Sequence, residues 1–255
     1  MKKKTIIKIV LLIITVIILA FLWEGLTSFF GNPITKMVAK GKINDHLEEK
    51  LPGRDDLQIG EIQYNFKTGQ YHTEVRSTLS KDTRFNVEWF PNRLIRDSYD
   101  DDVASGFNTA SRLYSQASKE LSSRLEDLGE RRVYFQLPER SSLPSYPLDV
   151  AYEKELIRAT NLTVELKGDE RGAENAAKVS SEIFKVIEEE GFILEELDLI
   201  LSAPDGTHSY QVLNMKVSDA EDENLLERLL ELEEEFHQDP DVSFRREGFK
   251  VIIRE

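Results

Sequence analysis

Leu162-Thr163-Val164-Glu165-Leu166 alternates apolar and polar residues as a strand does, and the elements on its C-terminal side decide the fold. Ala173 to Ile187 changes to helical spacing, with Ala176, Ser180, Ile183 and Ile187 on one face. Leu197, Leu199 and Leu201 return to period two. Pro204-Asp205-Gly206-Thr207 then carries strong turn chemistry, proline presetting φ and glycine taking the left-handed position, and leads into Tyr210, Val212 and Asn214. Leu225, Leu229, Leu232 and Phe236 mark a second helix that Asp239-Pro240-Asp241 ends. Val242, Phe244, Phe249, Val251 and Ile253 give a last strand, broken near Gly248. The order β-α-β-β-α-β predicts a ferredoxin-like domain over 160–255.

Upstream, the stretch from Pro138 to Pro147 is rich in proline and serine with little periodicity, and a linker is expected over 138–159. Ahead of it, Val103, Phe107, Ala110, Tyr114, Ala117, Leu121, Leu125 and Leu128 form one stripe of a long helix, followed by a short strand at Val133, Phe135 and Leu137. Three alternating runs precede that helix: Ile62, Tyr64, Phe66; then Tyr71, Thr73, Val75, Ser77, Leu79; then Phe85, Val87, Trp89. They read as an antiparallel meander, with a turn at Lys67-Thr68-Gly69-Gln70. Leu57 and Ile59 change parity before Ile62, which predicts a bulge near Gly60. Asn32-Pro33 is an N-cap followed by the residue that suits a first helical position, so a helix is expected from there to about Leu51, before Pro52-Gly53. The first domain is thus a helix plus antiparallel-sheet domain over 32–137. Both domains belong to the α+β class.

The N-terminal end has another character. Lys2, Lys3 and Lys4 precede the 19 residues Thr5 to Trp23, almost all Ile, Leu, Val, Ala and Phe. As a helix they span about 28 Å, close to the hydrocarbon thickness of a bilayer, and Lys8 can snorkel to the inner interface. A transmembrane anchor with a cytoplasmic tip is expected over 1–31, its basic end inside and everything after about Gly31 outside the cytoplasm. A cleaved signal peptide is the competing reading, but Leu22-Trp23-Glu24-Gly25 does not spell a small-x-small site. With 255 residues, 40% of them hydrophobic, the chain has material for a core. Its 33 Lys and Arg against 47 Asp and Glu give −14, which argues against a nucleic-acid partner. It holds no cysteine, so disulfides, thiolate zinc sites and cysteine nucleophiles are excluded.

Gly31-Asn32-Pro33-Ile34-Thr35-Lys36, Leu47-Glu48-Glu49-Lys50-Leu51-Pro52 and Ile62-Gln63-Tyr64-Asn65-Phe66-Lys67 resemble the start of the YfjL-like proteins of Gram-positive bacteria. The resemblance covers roughly residues 1–80, and more distantly the same elements are similar to PepSY-type modules. It implies a membrane-anchored, extracytoplasmic protein and brings no catalytic residues with it.

Residues capable of chemistry are scattered. His46, His72, His208 and His237 lack zinc-motif spacing and read as surface histidines. Asp97, Asp100, Asp101 and Asp102 are the densest acidic cluster in a loop; capping of the next helix explains them, with a weak cation site as the alternative. Glu227, Glu231, Glu233, Glu234 and Glu235 read as a solvated helix face, against an acidic docking surface. Arg131-Arg132 and Arg245-Arg246 read as surface ion-pairing residues. Gly168-Asp169-Glu170-Arg171-Gly172 lacks the Lys-Ser/Thr of a phosphate loop, there is no G-x-S-x-G, and the sequon Asn161-Leu162-Thr163 overlaps a strand. No catalytic, cofactor-binding or metal residue is assigned, and no cofactor is expected.

The leading expectation is a non-enzymatic membrane protein whose outer domains bind or regulate an envelope protein or a small ligand, a role that an exposed aromatic patch at Trp89, Phe90 and Tyr99 would strengthen. The alternative is an extracytoplasmic hydrolase using paired carboxylates from distant positions. A regulator acting through the anchor is a third reading, with a cytoplasmic tail too short for a signalling domain.

Overall fold

In the computed structural model, residues 3–91, 95–158, 160–241 and 247–254 are described. Helix α1, Lys3–Phe30, is apolar around its whole circumference from Ile9 to Trp23 but for Thr15, and its described side chains pack on almost nothing. It is long and apolar enough to cross a membrane. The helix ends where it must. Pro33 has no N–H to donate and pushes Asn32 into extended backbone (φ −78°, ψ 127°), while Gly31 takes φ +78° and still bonds Thr27 O through its N–H at 3.0 Å. The Asn32 side chain then accepts the Ile34 N–H at 2.8 Å and starts α2, Pro33–Lys50.

Two compact units follow, one comprising 1–108 with 147–149 and the other 109–146 with 150–255. In the first unit α2 lays Ala39, Ile43 and Leu47, spaced by four, against a sheet built of β1 (Leu57–Ile59), β2 (Gln63–Asn65), β3 (Gln70–Ser77), β4 (Arg84–Trp89) and β5 (Arg96–Asp97). All its pairings are antiparallel. β1 and β2 share one edge of β3, broken at the expected place: Gly60 donates to Glu74 O at 2.9 Å, and a Cβ there would meet that oxygen. Across β3 and β4, Tyr71 faces Trp89, Thr73 faces Val87 and Val75 faces Phe85, all buried. Trp89 therefore belongs to this core, Tyr99 packs against it partly buried and Phe90 is half-buried, so the exposed aromatic patch that would have strengthened a binding role is not formed by them. β5 had no periodic signal to announce it.

The second unit is one five-stranded sheet in the order β10-β9-β8-β7-β6, where β6 is Arg131–Phe135, β7 Thr160–Lys167, β8 Leu194–Ser202, β9 Ser209–Met215 and β10 Lys250–Arg254. Helices α4 (Ala173–Glu190) and α6 (Leu225–Gln238) pack on it with the stripes that the spacing predicts. The ferredoxin-like expectation needs correction. That fold splits its parallel strands with another strand between them, whereas β7 and β8 here pair directly and parallel along their length. The outer edge of β8 is taken by the β9 hairpin, and β6 fills the other edge of β7.

β6 was expected to close the first domain, as was the long helix, now α3 (Phe107–Arg124). From Thr109 on α3 belongs to the second unit, where Leu113, Tyr114, Ala117 and Leu121 join the core of β7 and β8, and Ser118 Oγ accepts the Phe135 N–H at 2.9 Å. The Pro/Ser stretch is likewise no free linker. Tyr146, Val150, Tyr152 and Leu156 pack on the second core, and Tyr146 donates to Leu156 O at 2.7 Å. The turn at Gly206 (φ +73°) forms as expected, α5 (Val217–Ala220) was not foreseen, and Val242, Phe244, Arg245 and Arg246 lie outside the described residues.

A Cβ on Gly31 would stand 2.7 Å from Tyr64 Cβ and 3.1 Å from the Tyr71 ring, in a backbone conformation that already disfavours L residues. Gly31→Ala is expected to destabilise the first unit by about 2 kcal/mol, from strain and overlap together. Urea unfolding of the full chain in detergent, followed by tryptophan fluorescence, checks this; an unchanged midpoint would show that the junction yields.

Candidate functional site

The acidic cluster is drawn inward by His46 and Lys50 on α2. Asp97 is 6% exposed at its side chain and receives His46 Nε2 at 2.7 Å on one oxygen and Lys50 Nζ at 2.8 Å on the other, which also accepts the Tyr99 N–H at 2.9 Å. Lys50 reaches Asp100 as well, at 2.7 Å. Burial works against the Asp97 charge, but the Lys50 and His46 hydrogen bonds outweigh it and hold the carboxyl below its ordinary range. Asp102 accepts from Ser98 at 2.6 Å. The cation of this cluster is thus an ammonium of the chain, and His46, expected on the surface, is half-buried in an ion-pair network.

The other histidines do not join it. His72 lies on β3 with Nδ1 buried and without a hydrogen-bond partner, His208 follows the Gly206 turn beside Thr207, and His237 is exposed in the last turn of α6. Among the described residues no group of three His, Asp or Glu could hold a metal.

Two carboxylates do converge in the second unit. Glu120 on α3 and Glu190 at the end of α4 both grip Lys154 Nζ, at 2.9 and 2.5 Å. Tyr152 donates to Glu120 at 2.7 Å, and Arg124 meets Glu190 at 2.8 Å. Burial opposes the Glu120 charge, yet Lys154 and Tyr152 hold its carboxyl below the ordinary range, the reverse of what a general acid needs. Nearby, burial pushes the Tyr114 hydroxyl up to about 12.

The concave feature with the chemistry of a ligand site lies at the C-terminal end of α4. Gly191, at φ +74°, donates to Glu188 O, and Phe192 donates to Ile187 O at 3.1 Å, so the helix closes in a Schellman motif that folds Phe192 back onto Ile187. The next residue, Ile193, is left 66% exposed. Opposite, α5 presents Val217 and Ala220. Together with Phe184 and Leu194 they line a cleft of about 480 Å³, with Ser181, Lys185, Glu188 and Glu221 as its polar members. That volume is in the range of small-molecule sites. The cleft escaped the reading of the sequence because its walls come from three separate segments; its one legible sign was an apolar Ile193 directly after a helix-ending Gly-Phe.

Residues 2–98 match the YfjL-like, N-terminal domain. The matched region takes in α1, α2 and all five strands of the first sheet, and ends just past Asp97, where the α2 ion pairs close. The YfjL-like match leaves the α4–α5 cleft outside it. Among solved structures, a DUF5037 family protein from Ruminococcus gnavus ATCC 29149 aligns with 74% of this chain and 98% of its own, at 12% identity and a TM-score of 0.29. No curated protein matches the chain.

Since the folded-state pKa of Asp97 is depressed, its contribution to stability is present above the unfolded carboxylate value near ~4 and is lost as pH falls through the folded value. Asp97→Asn is expected to cost about 2 kcal/mol at neutral pH, by stranding Lys50 and His46, and to flatten the loss of stability in acid. Urea midpoints of both chains at pH 7 and pH 3 measure this; parallel acid limbs would assign the acid sensitivity elsewhere.

Proposed function

We propose that α1 holds the chain in a bacterial cell membrane as a single span, its basic start in the cytoplasm, and that both α+β units stand outside it and bind rather than catalyse. The observation that carries this is α1 itself: 28 residues, exposed and uncharged from Ile9 to Trp23, handed within two residues to a folded unit. A helix whose apolar side chains are exposed along nearly all of its length is solvated by lipid far better than by water. The Gram-positive envelope that the YfjL-like resemblance implies is the natural setting, and an envelope protein or a small apolar ligand is the partner. The α4–α5 cleft supports the ligand form, because Phe184, Ile187, Phe192, Ile193 and Val217 give it apolar walls beside the polar Ser181, Lys185, Glu188 and Glu221.

The hydrolase alternative would draw its two acids from Glu120 and Glu190. Both already share Lys154 as a counter-ion, which favours the structural role.

Ser145 is exposed and the chain has no cysteine, so Ser145→Cys is a single reporter of sidedness. A membrane-impermeant maleimide is expected to label it in intact cells, in the membrane fraction; protection until lysis would reverse the orientation. For the cleft, Ile193→Glu places a charge at its mouth on an exposed position. It is expected to leave the unfolding free energy within about 0.5 kcal/mol and to abolish the excess anilinonaphthalene sulfonate fluorescence that the nanodisc-held protein shows over empty nanodiscs of the same lipid. Full retention of that signal would remove the cleft as the apolar site.

A further inference from the structure

The first unit carries an apolar surface that its own core does not use. On α2 the buried residues Ala39, Ile43 and Leu47 define one face. The opposite face, at 100° per residue, holds Ile34, Met37, Val38 and Gly41 in its first half and Asp45, Glu48 and Glu49 in its second. Ile34 is 71% exposed, Met37 76% and Val38 48%. Apolar residues thus face outward only in the part of α2 next to α1. At the tip between β2 and β3, Phe66 is also exposed and rests on Phe29 of α1, ring centres 5.6 Å apart. Leu26, Phe29 and Phe30 are exposed at the adjoining end of α1, and the Phe29 contact joins them to Phe66.

Charge follows the same boundary. Between Glu24 and Asp45 this strongly acidic chain has no Asp or Glu, while Lys36, Lys40 and Lys42 stand there and Lys67 follows Phe66. Such a stretch suits anionic phosphate headgroups, with the lysine stems spanning the apolar boundary. The junction is also fixed. Gly31 is buried against Tyr64 and Tyr71, whose rings lie 4.9 Å apart, and the Asn32 N–H donates to the Tyr71 hydroxyl oxygen at 3.3 Å.

From these observations we infer that the first unit is seated on the outer surface of the bilayer that α1 crosses, with Ile34, Met37, Val38 and Phe66 in the interfacial layer and Lys40, Lys42 and Lys67 at the lipid phosphates. The inference rests on α1 being a span. Its partner is lipid because the apolar face is continuous with the helix that lipid already surrounds, and because the acids begin where the patch ends. The unit is then mounted on the membrane at a set angle and not tethered above it.

The test uses four single-cysteine variants of the full chain, each carrying a nitroxide, in vesicles of phosphatidylethanolamine and phosphatidylglycerol. Met37→Cys and Phe66→Cys report the seat, Asp45→Cys the acidic second half of the same face of α2, and Val16→Cys the middle of α1. Collision with oxygen, which concentrates in lipid, is compared with collision with a water-soluble nickel chelate. The expected result is an inverted ratio: oxygen dominant at positions 16, 37 and 66, nickel dominant at 45. Oxygen at 16 with nickel at 37 and 66 overturns the seat and leaves the span standing. Nickel at 16 overturns the span, and the seat with it. Labels at 37 and 66 shielded from both reagents show a protein, such as a second copy, on this face and also overturn the inference.

Discussion

Pro33 has no amide hydrogen to give, and much of the first unit depends on that. A helix as apolar as α1 has nothing in its own side chains to stop it; the missing donor and the ring's demand on Asn32 do so. The same two residues then cap α2, so the break and the new start are one event. Gly31 is the third member, since only a residue free to take positive φ and lacking Cβ fits under Tyr64 and Tyr71. Those tyrosines belong to β2 and β3, so the end of α1 is tied to the sheet through side chains that also build its core.

Cations are outnumbered by acids in this chain, 33 against 47, and the structure shares two of them between acids. Lys50 lies between Asp97 and Asp100, and Lys154 between Glu120 and Glu190. Each network draws its members from elements far apart in sequence. For Lys50, burial opposes the charge but the paired aspartates more than restore it, and its pKa is raised; for Lys154 the hydrogen bonds to Glu190 and Glu120 raise it. Both clusters look reactive in outline, a His-Asp pair in one and a carboxylate pair in the other. In both, the neighbouring cation occupies the acids, and the Asp97 and Glu120 carboxyls are held below their ordinary range, which suits groups that hold packing together.

Much of the fold was legible where one face of an element is buried. The stripes of α4 and α6, the alternations of β3 and β4, the Asn32-Pro33 start and the Gly60 break all lie where the periodicity placed them. Order along the chain was easier to read than order across the sheet. Whether β8 stands beside β7 or one strand away depends on which edges β6 and β9 occupy, and period-two alternation is the same in either case. For the same reason α3 and β6 could be assigned to the wrong neighbour. β5 is two residues long and α5 four, too short for any period. The cleft needed the Schellman turn at Gly191 to bring Phe192 under Ile193, a three-dimensional fact with only a Gly-Phe-Ile trace in sequence.

The first unit also draws on residues further along the chain. Asp82, almost fully buried, accepts the Asp149 N–H at 3.0 Å, and the Asp149 side chain accepts the Asp82 N–H at 3.0 Å in return. Asp82 lies within the region matching the YfjL-like domain and Asp149 well outside it. A buried carboxylate deprived of backbone donors is costly, so a fragment cut at the end of that region is less stable than the same residues in the intact chain. Transplanted onto another protein, this domain would travel incomplete: its new host would have to grow a substitute for a tripeptide that here arrives about fifty residues later.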